Sequence, residues 1–281
     1  MKKFFCILIS LLCFGLSFAQ NDNIAAGDYI VGDYKIHISY AAEISIKSYS
    51  GSEENIIIPD NIEGYPVKYI SEKAFSECSS IVSIIIPDSV IEIGDAAFYK
   101  CSKLKSVKIG NSVVKICAYA FEKCKSLTSI EIPDSVVQIQ DYAFSYCNSL
   151  KSAVLGNSLV NLGYSAFYKC DKLENVVFGN SLKTINAEVF SKCSSLKSVE
   201  IPDSVNSIGN QAFAFCSNLE SVVIGKSITQ VNFNTMFTSS PVKKITLHSA
   251  ETELLNVPEG AEVIKPKAKS LKEQMAERNS N

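Results

Sequence analysis

Apolar side chains return along this chain with a period of 23 residues, marked most clearly by phenylalanine. The phenylalanines are Phe75, Phe98, Phe121, Phe144, Phe167, Phe190 and Phe213. Each is followed three residues later by a cysteine, and these are Cys78, Cys101, Cys124, Cys147, Cys170, Cys193 and Cys216. A fixed period of this length is typical of a solenoid, in which each repeat forms one coil that stacks on the last.

About eight of every 23 positions are apolar and in register. In the coil that begins near Phe98 they are Ala97, Phe98, Cys101, Leu104, Val107, Ile109, Val113 and Ile116. One coil cannot bury this surface alone, but stacked coils cover one another's faces. At ~25 cal/mol per Å² of apolar area removed from water, this interior provides the main stabilisation.

The order of residues within a coil predicts its elements. Residues 104–109 alternate inward and outward, as a short strand with one buried face does, and stacked coils would pair these strands into a long parallel sheet. A proline or glycine ends the strand, an Asp-Ser or Asn-Ser turn follows, and then a second short apolar pair. The segment Ala-Phe-x-x-Cys-x-x-Leu has apolar residues three apart, which favours one helical or 3₁₀ turn on the outer side.

The complete coil reads Leu-x-Ser-Val-x-Ile-Pro-Asp-Ser-Val-x-x-Ile-Gly-x-x-Ala-Phe-x-x-Cys, and it resembles the BspA-type (Treponema-type) leucine-rich repeat of bacterial surface proteins. The resemblance covers residues 56–247, and residues 58–67 also match with a longer turn. It implies a leucine-rich-repeat solenoid of the curved right-handed β/α type, with a parallel sheet on the concave face and short helical or 3₁₀ turns outside. It also implies an exported protein that acts in adhesion or partner binding.

The two ends of the chain depart from the repeat. Residues 1–19 carry Lys2 and Lys3, an apolar run and a small-x-small site, which predicts a secretory signal peptide, the alternative being an uncleaved anchor. Residues 20–55 alternate weakly and predict an N-terminal β cap for the 56–248 solenoid of about eight coils. Residues 249–281 predict a C-terminal cap strand and a charged flexible tail.

Charge and the signal narrow the compartment and the partner. Without Lys2 and Lys3 the chain has 25 basic and 29 acidic residues, a net charge of −4, and no basic domain. We therefore expect no nucleic-acid partner. The signal predicts a periplasmic, cell-surface or secreted protein with no transmembrane segment in the mature chain.

Eight cysteines remain after the signal, seven in the ladder and Cys117 outside it. Neighbouring ladder positions lie about one strand spacing (~4.8 Å) apart, which allows disulfides in an exported chain. A recurring buried slot favours instead a spine of free thiols whose S–H groups meet backbone carbonyls. Ligands from successive coils would lie in a line, so zinc is disfavoured. Cys117 lies in a turn and is expected to react first.

The sequence offers no catalytic arrangement. Its two histidines, His37 and His248, fall in opposite terminal regions, and the recurring aspartates belong to a recurring turn. We expect no enzyme activity, no cofactor and no metal.

Two faces are candidates for partner binding. The outward positions of the predicted sheet carry Lys105, Lys108, Glu131, Lys151, Glu174 and Glu200, whose alternative interpretation is an ordinary solvated sheet. The outer turns carry Tyr119, Tyr142 and Tyr164, which suit an interface or, alternatively, stack to stabilise neighbouring turns.

The extended repeating surface suits a macromolecular partner, expected to be a protein. The resemblance alone suggests a host matrix or plasma protein or a neighbouring cell's surface. The alternative is a structural spacer or surface-layer component without a specific ligand.

Overall fold

The chain folds into a solenoid whose coils each contribute two short parallel strands and one outer turn segment. The computed structural model describes residues 25–266, so the predicted signal peptide and the end of the predicted tail lie outside the described residues. The leucine-rich-repeat solenoid expected from the sequence is confirmed.

The strand after the ladder leucine forms what we call the first strand row. Its members are Asn55–Ile57, Ser83–Ile85, Ser106–Lys108, Ser129–Glu131, Ser152–Val154, Asn175–Val177, Ser198–Ile201, Ser221–Ile224, Lys244–Leu247 and Glu262–Ile264. These strands pair in parallel and in register within three short sheets, Asn55–Ile57 to Ser106–Lys108, Ser129–Glu131 to Asn175–Val177, and Ser198–Ile201 to Glu262–Ile264. Within the second sheet, Ser129 lies opposite Ser152 and Glu131 opposite Val154. The long continuous sheet expected from the sequence is therefore interrupted twice in this row. The alternation predicted from the sequence is present, because residue 130 of the strand Ser129–Glu131 is buried between two exposed residues.

The apolar pair after the Asx turn forms the second strand row. Its members are Ile44–Tyr49, Tyr65–Ile70, Glu92–Ile93, Lys115–Ile116, Gln138–Ile139, Asn161–Leu162, Thr184–Ile185 and Ser207–Ile208, with Gln230–Asn232 and Glu253–Leu255 pairing beyond them. These strands are also parallel and in register, as at Ile116 and Ile139. Two rows on different sides of the coil enclose the core between them.

The beginning of the solenoid is closed by an antiparallel sheet. Strands Gly27–Val31 and Tyr34–Ile38 pair with each other, and Tyr34–Ile38 pairs with Ile44–Tyr49. A short strand, Asn61–Ile62, pairs back on Tyr65–Ile70. The Tyr49 ring stacks on Phe75 at 5.3 Å, so an aromatic side chain covers the first face of the core.

The core is a continuous column of phenylalanine rings. Rings of successive coils stack nearly parallel with centroids 5.0–5.4 Å apart, from Phe75 through Phe213 to Phe237. Every repeat phenylalanine is fully buried. Offset stacking adds to area burial, so each interior ring is stabilised by two neighbours.

The proline or glycine after each first-row strand marks a close approach between coils. A Cβ on Gly110 would lie 2.3 Å from the carbonyl oxygen of Pro87, and a Cβ on Gly156 would meet Pro133 at the same distance. Glycine is required in these coils because the backbone of the preceding coil occupies the space of a side chain.

The Ala-Phe-x-x-Cys segment, which we call the turn edge, differs from the expectation of a helical or 3₁₀ turn. It is a series of hydrogen-bonded turns, and the only α-helix among residues 25–266 is Phe233–Met236. In each coil from Phe75 to Phe213, two residues have a left-handed φ of 51–63°, and none is glycine. One lies two positions before the phenylalanine and the other two positions after it. Left-handed residues interrupt a helix after each turn, which is why helix does not form.

The left-handed residues send alternate N–H groups to the next coil. In one coil, the N–H groups of Tyr119, Phe121 and Lys123 donate to carbonyls of the following coil at 2.7–2.9 Å. The N–H groups between them close local turns, as Glu122 does on Tyr119 at 3.0 Å. The turn edge is therefore a third hydrogen-bonded side of the solenoid, although it contains no strand.

The repeat that contains Phe237 is one residue longer than the others, but its phenylalanine keeps its place in the core. The helix Phe233–Met236 takes up the extra residue, and Phe237 still stacks on Phe213 at 5.3 Å. Beyond it, Glu253–Leu255 and Glu262–Ile264 extend both rows, so the solenoid has about nine turns where the sequence indicated about eight.

Candidate functional site

The first strand row presents two outward columns that contain all six charged candidates. Lys105, Lys151 and Glu174 lie in one column, in which Lys151 N–H donates to Thr128 at 2.8 Å and Glu174 N–H to Lys151 at 2.9 Å. Lys108, Glu131, Val154, Val177 and Glu200 follow one another in the second. Stacking of the coils thus places the predicted residues on one face, although strand pairing is interrupted between Lys108 and Glu131 and between Val177 and Glu200.

In the second column the apolar pair Val154 and Val177 lies between charged residues, and the apolar Ile85 and Val223 continue the column beyond them. Val154 and Val177 are 41% and 47% exposed. Within residues 25–266, the side chains of Lys108, Glu131 and Glu200 make no hydrogen bond or ion pair. These groups are available to a partner without first breaking an internal contact.

An open groove runs beside this column, along the boundary with the Asx turns. A depression of about 380 Å³ is lined by Glu131, Val154, Val177 and Phe178, among others. A neighbouring one of about 510 Å³ continues past Glu200 to His248. Both are open to solvent, which suits an extended partner better than an enclosed small molecule.

Phe178 is a groove residue that sequence reasoning missed. It lies where other coils have isoleucine or leucine, as at Ile132 and Leu155, and its ring meets Phe190 edge-on at 5.7 Å. The larger ring remains half-buried while its counterparts are buried. An oversized residue at a core position was the available signal.

The aspartates of the recurring turn are structural, as predicted. The carboxylates of Asp88 and Asp134 each accept a backbone N–H from the next coil at 2.7 Å. Asp203 also accepts from His248 Nδ1 at 2.7 Å, and this hydrogen bond is the main reason that the pKa of Asp203 is lowered.

The three candidate tyrosines contact one another along the turn edge. Tyr119 stacks on Tyr142 at 5.1 Å, and Tyr142 meets Tyr164 edge-on at 5.3 Å. The Tyr164 hydroxyl donates to Glu188 Oε1 at 2.6 Å, and this bond together with burial raises the pKa of Tyr164 to about 12. The alternative of stacking between turns is therefore what the structure has, and it reduces the surface these rings offer to a partner.

The ladder cysteines form a spine of free thiols. From Cys101 to Cys216, each Sγ donates to the carbonyl of the phenylalanine 26 residues earlier at 3.0–3.3 Å. The eight cysteines between residues 25 and 266 are free. Burial holds the pKa of the Cys124, Cys147 and Cys170 thiols well above the usual range.

The expectation that Cys117 reacts first does not fit its position. Its turn is packed, leaving Cys117 only 3% exposed, and burial raises the pKa of its thiol to about 11. Cys78, at the less regular beginning of the ladder, is half-buried.

The described residues offer no candidate site for a metal ion and no candidate membrane span. Residues 25–266 contain no group of three or more His, Cys, Asp or Glu side chains placed to hold a metal ion. No helix in that range has the length and apolarity to cross a membrane. The histidines lie apart, His37 bonded to Asp28 at 2.8 Å and His248 to Asp203.

Comparison with known proteins gives one consistent family. A family model described as BspA type leucine rich repeat region matches residues 42–174 and 137–256, with six copies of the repeat. No curated protein sequence matches the chain.

Solved structures agree with the family match. A leucine-rich repeat protein of T. pallidum is 30% identical, with a TM-score of 0.62 over 68% of this chain and 90% of that one. A leucine rich cell surface protein of Faecalibacterium prausnitzii is 21% identical, with a TM-score of 0.55 over 92% and 98% of the two chains. A leucine-rich repeat protein of Bacteroides ovatus is 21% identical, with a TM-score of 0.54 over 90% and 79%. The last two are similar in fold.

Proposed function

Because this chain belongs to the BspA-type leucine-rich repeat family, we propose that it is a non-enzymatic protein that binds a protein partner through its first strand row. The family suggests a protein-binding role. The candidate contacts are the two outward columns of this row and the groove beside them.

The observation that carries the proposal is the exposed pair Val154 and Val177, which lies in line with unpaired Lys108, Glu131 and Glu200. Apolar area ringed by polar side chains is typical of an interaction site. Charged groups without internal partners add specificity to such a site. The tyrosines of the turn edge are weaker candidates because their rings already contact one another.

The proposed place of action is outside the cytoplasm, in the periplasm, at the cell surface or after release. The lysine-led apolar segment at residues 1–19 supports export. The F. prausnitzii protein is described as a cell surface protein, which agrees with this placement. The proposed partners are host matrix or plasma proteins or the surface of a neighbouring cell, in an adhesive role.

Two valine pairs of equal exposure give a matched test. Val154 and Val177 lie on the first strand row at 41% and 47% exposed, and Val137 and Val114 lie by the second strand row at the same exposures. The protein is screened for saturable binding to matrix proteins, plasma proteins and whole cells. We expect Val154→Ser with Val177→Ser to weaken the binding found, and Val114→Ser with Val137→Ser to leave it unchanged.

Two further sets of variants distinguish the first strand row from the turn edge as the binding face. Lys105→Glu, Lys108→Glu and Lys151→Glu together should also weaken binding at unchanged stability. Loss of binding only on replacing Tyr119, Tyr142 and Tyr164 by Ser, at unchanged stability, would move the site to the turn edge. If the whole screen gives no saturable binding, the role of a structural spacer replaces the proposed binding function.

A further inference from the structure

Lysine is concentrated on one part of the turn edge and on the residues directly after it. Five consecutive coils contribute residues 98–103, 121–126, 144–149, 167–172 and 190–195 to it. These segments contain Lys100, Lys103, Lys123, Lys125, Lys169, Lys172 and Lys192. Their only acidic residues are Glu122 and Asp171, although the whole chain has a net charge of −2. A basic strip on an acidic protein calls for a specific explanation.

Aromatic rings lie between these lysines and hold their ammonium groups. Lys123 Nζ lies 5.1 Å from the Tyr99 ring centroid and 5.6 Å from that of Tyr146, and Lys169 Nζ lies 5.4 Å from Tyr146. Lys192 Nζ lies 5.1 Å from the Tyr168 ring. These are cation–π distances, so each of these three ammonium groups lies by at least one ring of the strip.

Hydrogen bonds fix the same groups further. Lys123 Nζ donates to the Tyr99 hydroxyl at 3.2 Å, and Lys192 Nζ donates to that of Tyr168 at 2.7 Å. The backbones of Lys100, Lys123, Lys169 and Lys192 have left-handed φ of 57–63°, and their N–H groups are bonded to the next coil. Lysine normally loses much rotamer freedom when it binds, and here part of that loss has already occurred.

Carboxylates neutralise only part of the strip. Glu77 pairs with Lys100 at 2.8 Å, and Glu122 pairs with Lys123 at 2.8 Å. Among residues 25–266, no carboxylate lies within ion-pair distance of Lys169, Lys172 or Lys192. The strip therefore retains a net positive charge along its length.

We propose that this strip, the lysines and rings of the turn edge between residues 98 and 215, binds a linear anionic polysaccharide. Lys100, Lys123, Lys169 and Lys192 lie in one column whose positions are one coil step, ~4.8 Å, apart, and Tyr146 occupies the position between Lys123 and Lys169. An extended glycan chain with a sulfate or carboxylate on each sugar or every second sugar can lie along such a column and meet several ammonium groups.

The side chains favour a glycan over a nucleic acid. Single-stranded nucleic acids bind by stacking bases on free ring faces, whereas the Tyr99, Tyr146 and Tyr168 rings have ammonium groups over them. A duplex turns its phosphates around an axis, so a single column of lysines would meet few of them.

The test measures heparin binding by the whole chain and by two variants with equal charge change. The strip variant carries Gln in place of Lys100, Lys123, Lys169 and Lys192. The control carries Gln in place of Lys105, Lys108, Lys151 and Lys197 on the first strand row. We expect the strip variant to bind heparin roughly tenfold more weakly or worse, and the control to change less than roughly threefold, because charge position matters more than net charge.

Two further variants keep the proposal testable if four substitutions unfold the strip. Tyr99→Leu with Tyr146→Leu keeps every charge and should weaken binding by releasing the lysines. Phe215→Lys adds an ammonium group at the next left-handed position and should tighten heparin binding.

Equal losses of heparin binding in both lysine variants would overturn the proposal, as would unchanged binding in the strip variant. A single-stranded DNA that binds more tightly than heparin would overturn the choice of glycan. Since the control alters the first strand row, failure here is separate from failure of the protein-binding proposal.

Discussion

The hydroxyl of Ser240 donates to the carbonyl oxygen of Phe213 at 2.7 Å. One coil earlier, the thiol of Cys216 makes the same contact with Phe190 at 3.2 Å. Ser240 follows Phe237 by three residues, as each ladder cysteine follows its phenylalanine. The recurring requirement at this buried position is therefore a small hydrogen-bond donor, and neither a disulfide nor a metal explains it.

Substitution of Cys147 tests that requirement. Cys147→Ser keeps a donor for the Phe121 carbonyl, now 3.3 Å from Sγ, and should change the free energy of unfolding by less than about 1 kcal/mol. Cys147→Ala removes this donor, although the Phe121 carbonyl still accepts the N–H of Cys124 at 3.1 Å, so it should cost about 0.5–1.5 kcal/mol more than Cys147→Ser. Denaturant unfolding measures both. If alanine were as stable as serine, the thiol would serve only to fill space.

Removal of a ring from the middle of the phenylalanine column should be costly. Phe144 stacks on Phe121 and Phe167 at 5.2 and 5.1 Å and is fully buried, so Phe144→Ala should cost about 3–5 kcal/mol. Phe215, 44% exposed on the turn edge, is the control, and its change to Ala should cost less than about 1 kcal/mol. Comparable losses in denaturant unfolding would mean that the column is not the main support of the solenoid.

Thiol labelling should distinguish Cys78 from the rest of the ladder. Under native, non-reducing conditions Cys78 is expected to react first, because it is half-buried while Cys124, Cys147 and Cys170 are fully buried. Burial raises the pKa of all these thiols, so little thiolate is present at neutral pH. Mass mapping after labelling identifies the sites, with denatured protein as the fully labelled control. Linked neighbouring cysteines would contradict the free-thiol spine.

The left-handed backbone of the turn edge can be tested at Gln211. This exposed residue has a φ of 58°. A β-branched side chain is strained there, so Gln211→Val should lower the free energy of unfolding by about 1–2 kcal/mol. Gln211→Gly removes the strain but adds freedom to the unfolded chain, so it should be neutral or slightly stabilising. A glycine variant less stable than the valine variant would rule out a left-handed conformation in solution.

The Asp203 carboxylate should give a small acid-dependent stability. The pKa of Asp203 is lowered mainly by the hydrogen bond from His248. The carboxylate therefore stabilises the fold at pH values above its ordinary pKa of 3.8, and this stabilisation is lost as the pH falls through the lowered pKa. The pair is solvent-exposed, so Asp203→Asn should cost only a few tenths of a kcal/mol near pH 5 and nothing near about pH 2. His248→Gln should reproduce the loss. An Asp203→Asn effect that persists in acid would exclude this carboxylate as its source.

Sequence periodicity was sufficient for the core and insufficient for the edge. The 23-residue register predicts the buried positions of Phe144, Cys147 and Leu150, because stacking forces identical residues into contact. The left-handed residues carried no such signal, since Tyr119 and Lys123 are not residues associated with positive φ. Inter-coil hydrogen bonds hold them there, and such bonds cannot be read from one coil's composition.

The sequence predicted which residues lie on the candidate faces, but not which of them contact one another. Alternation predicts that Lys108 and Glu131 point outward, and both are exposed. Whether a side chain remains available depends on its neighbours in adjacent coils, as the stacking of Tyr119 on Tyr142 illustrates. The relationship between coils, and not the coil itself, decides which residues remain available to a partner.

The hydrogen bonds between coils along the turn edge all point in the same direction, which gives this side of the solenoid a net dipole. In each coil from Phe75 to Phe213, the N–H of the phenylalanine points toward the carbonyl of the following coil. Peptide dipoles aligned in this way add, as they do in a helix, whereas those of the two strand rows largely cancel. The edge thus has a positive and a negative pole. A coil can be exchanged for another in the same orientation, but turning one over would place like charges against each other at both of its faces.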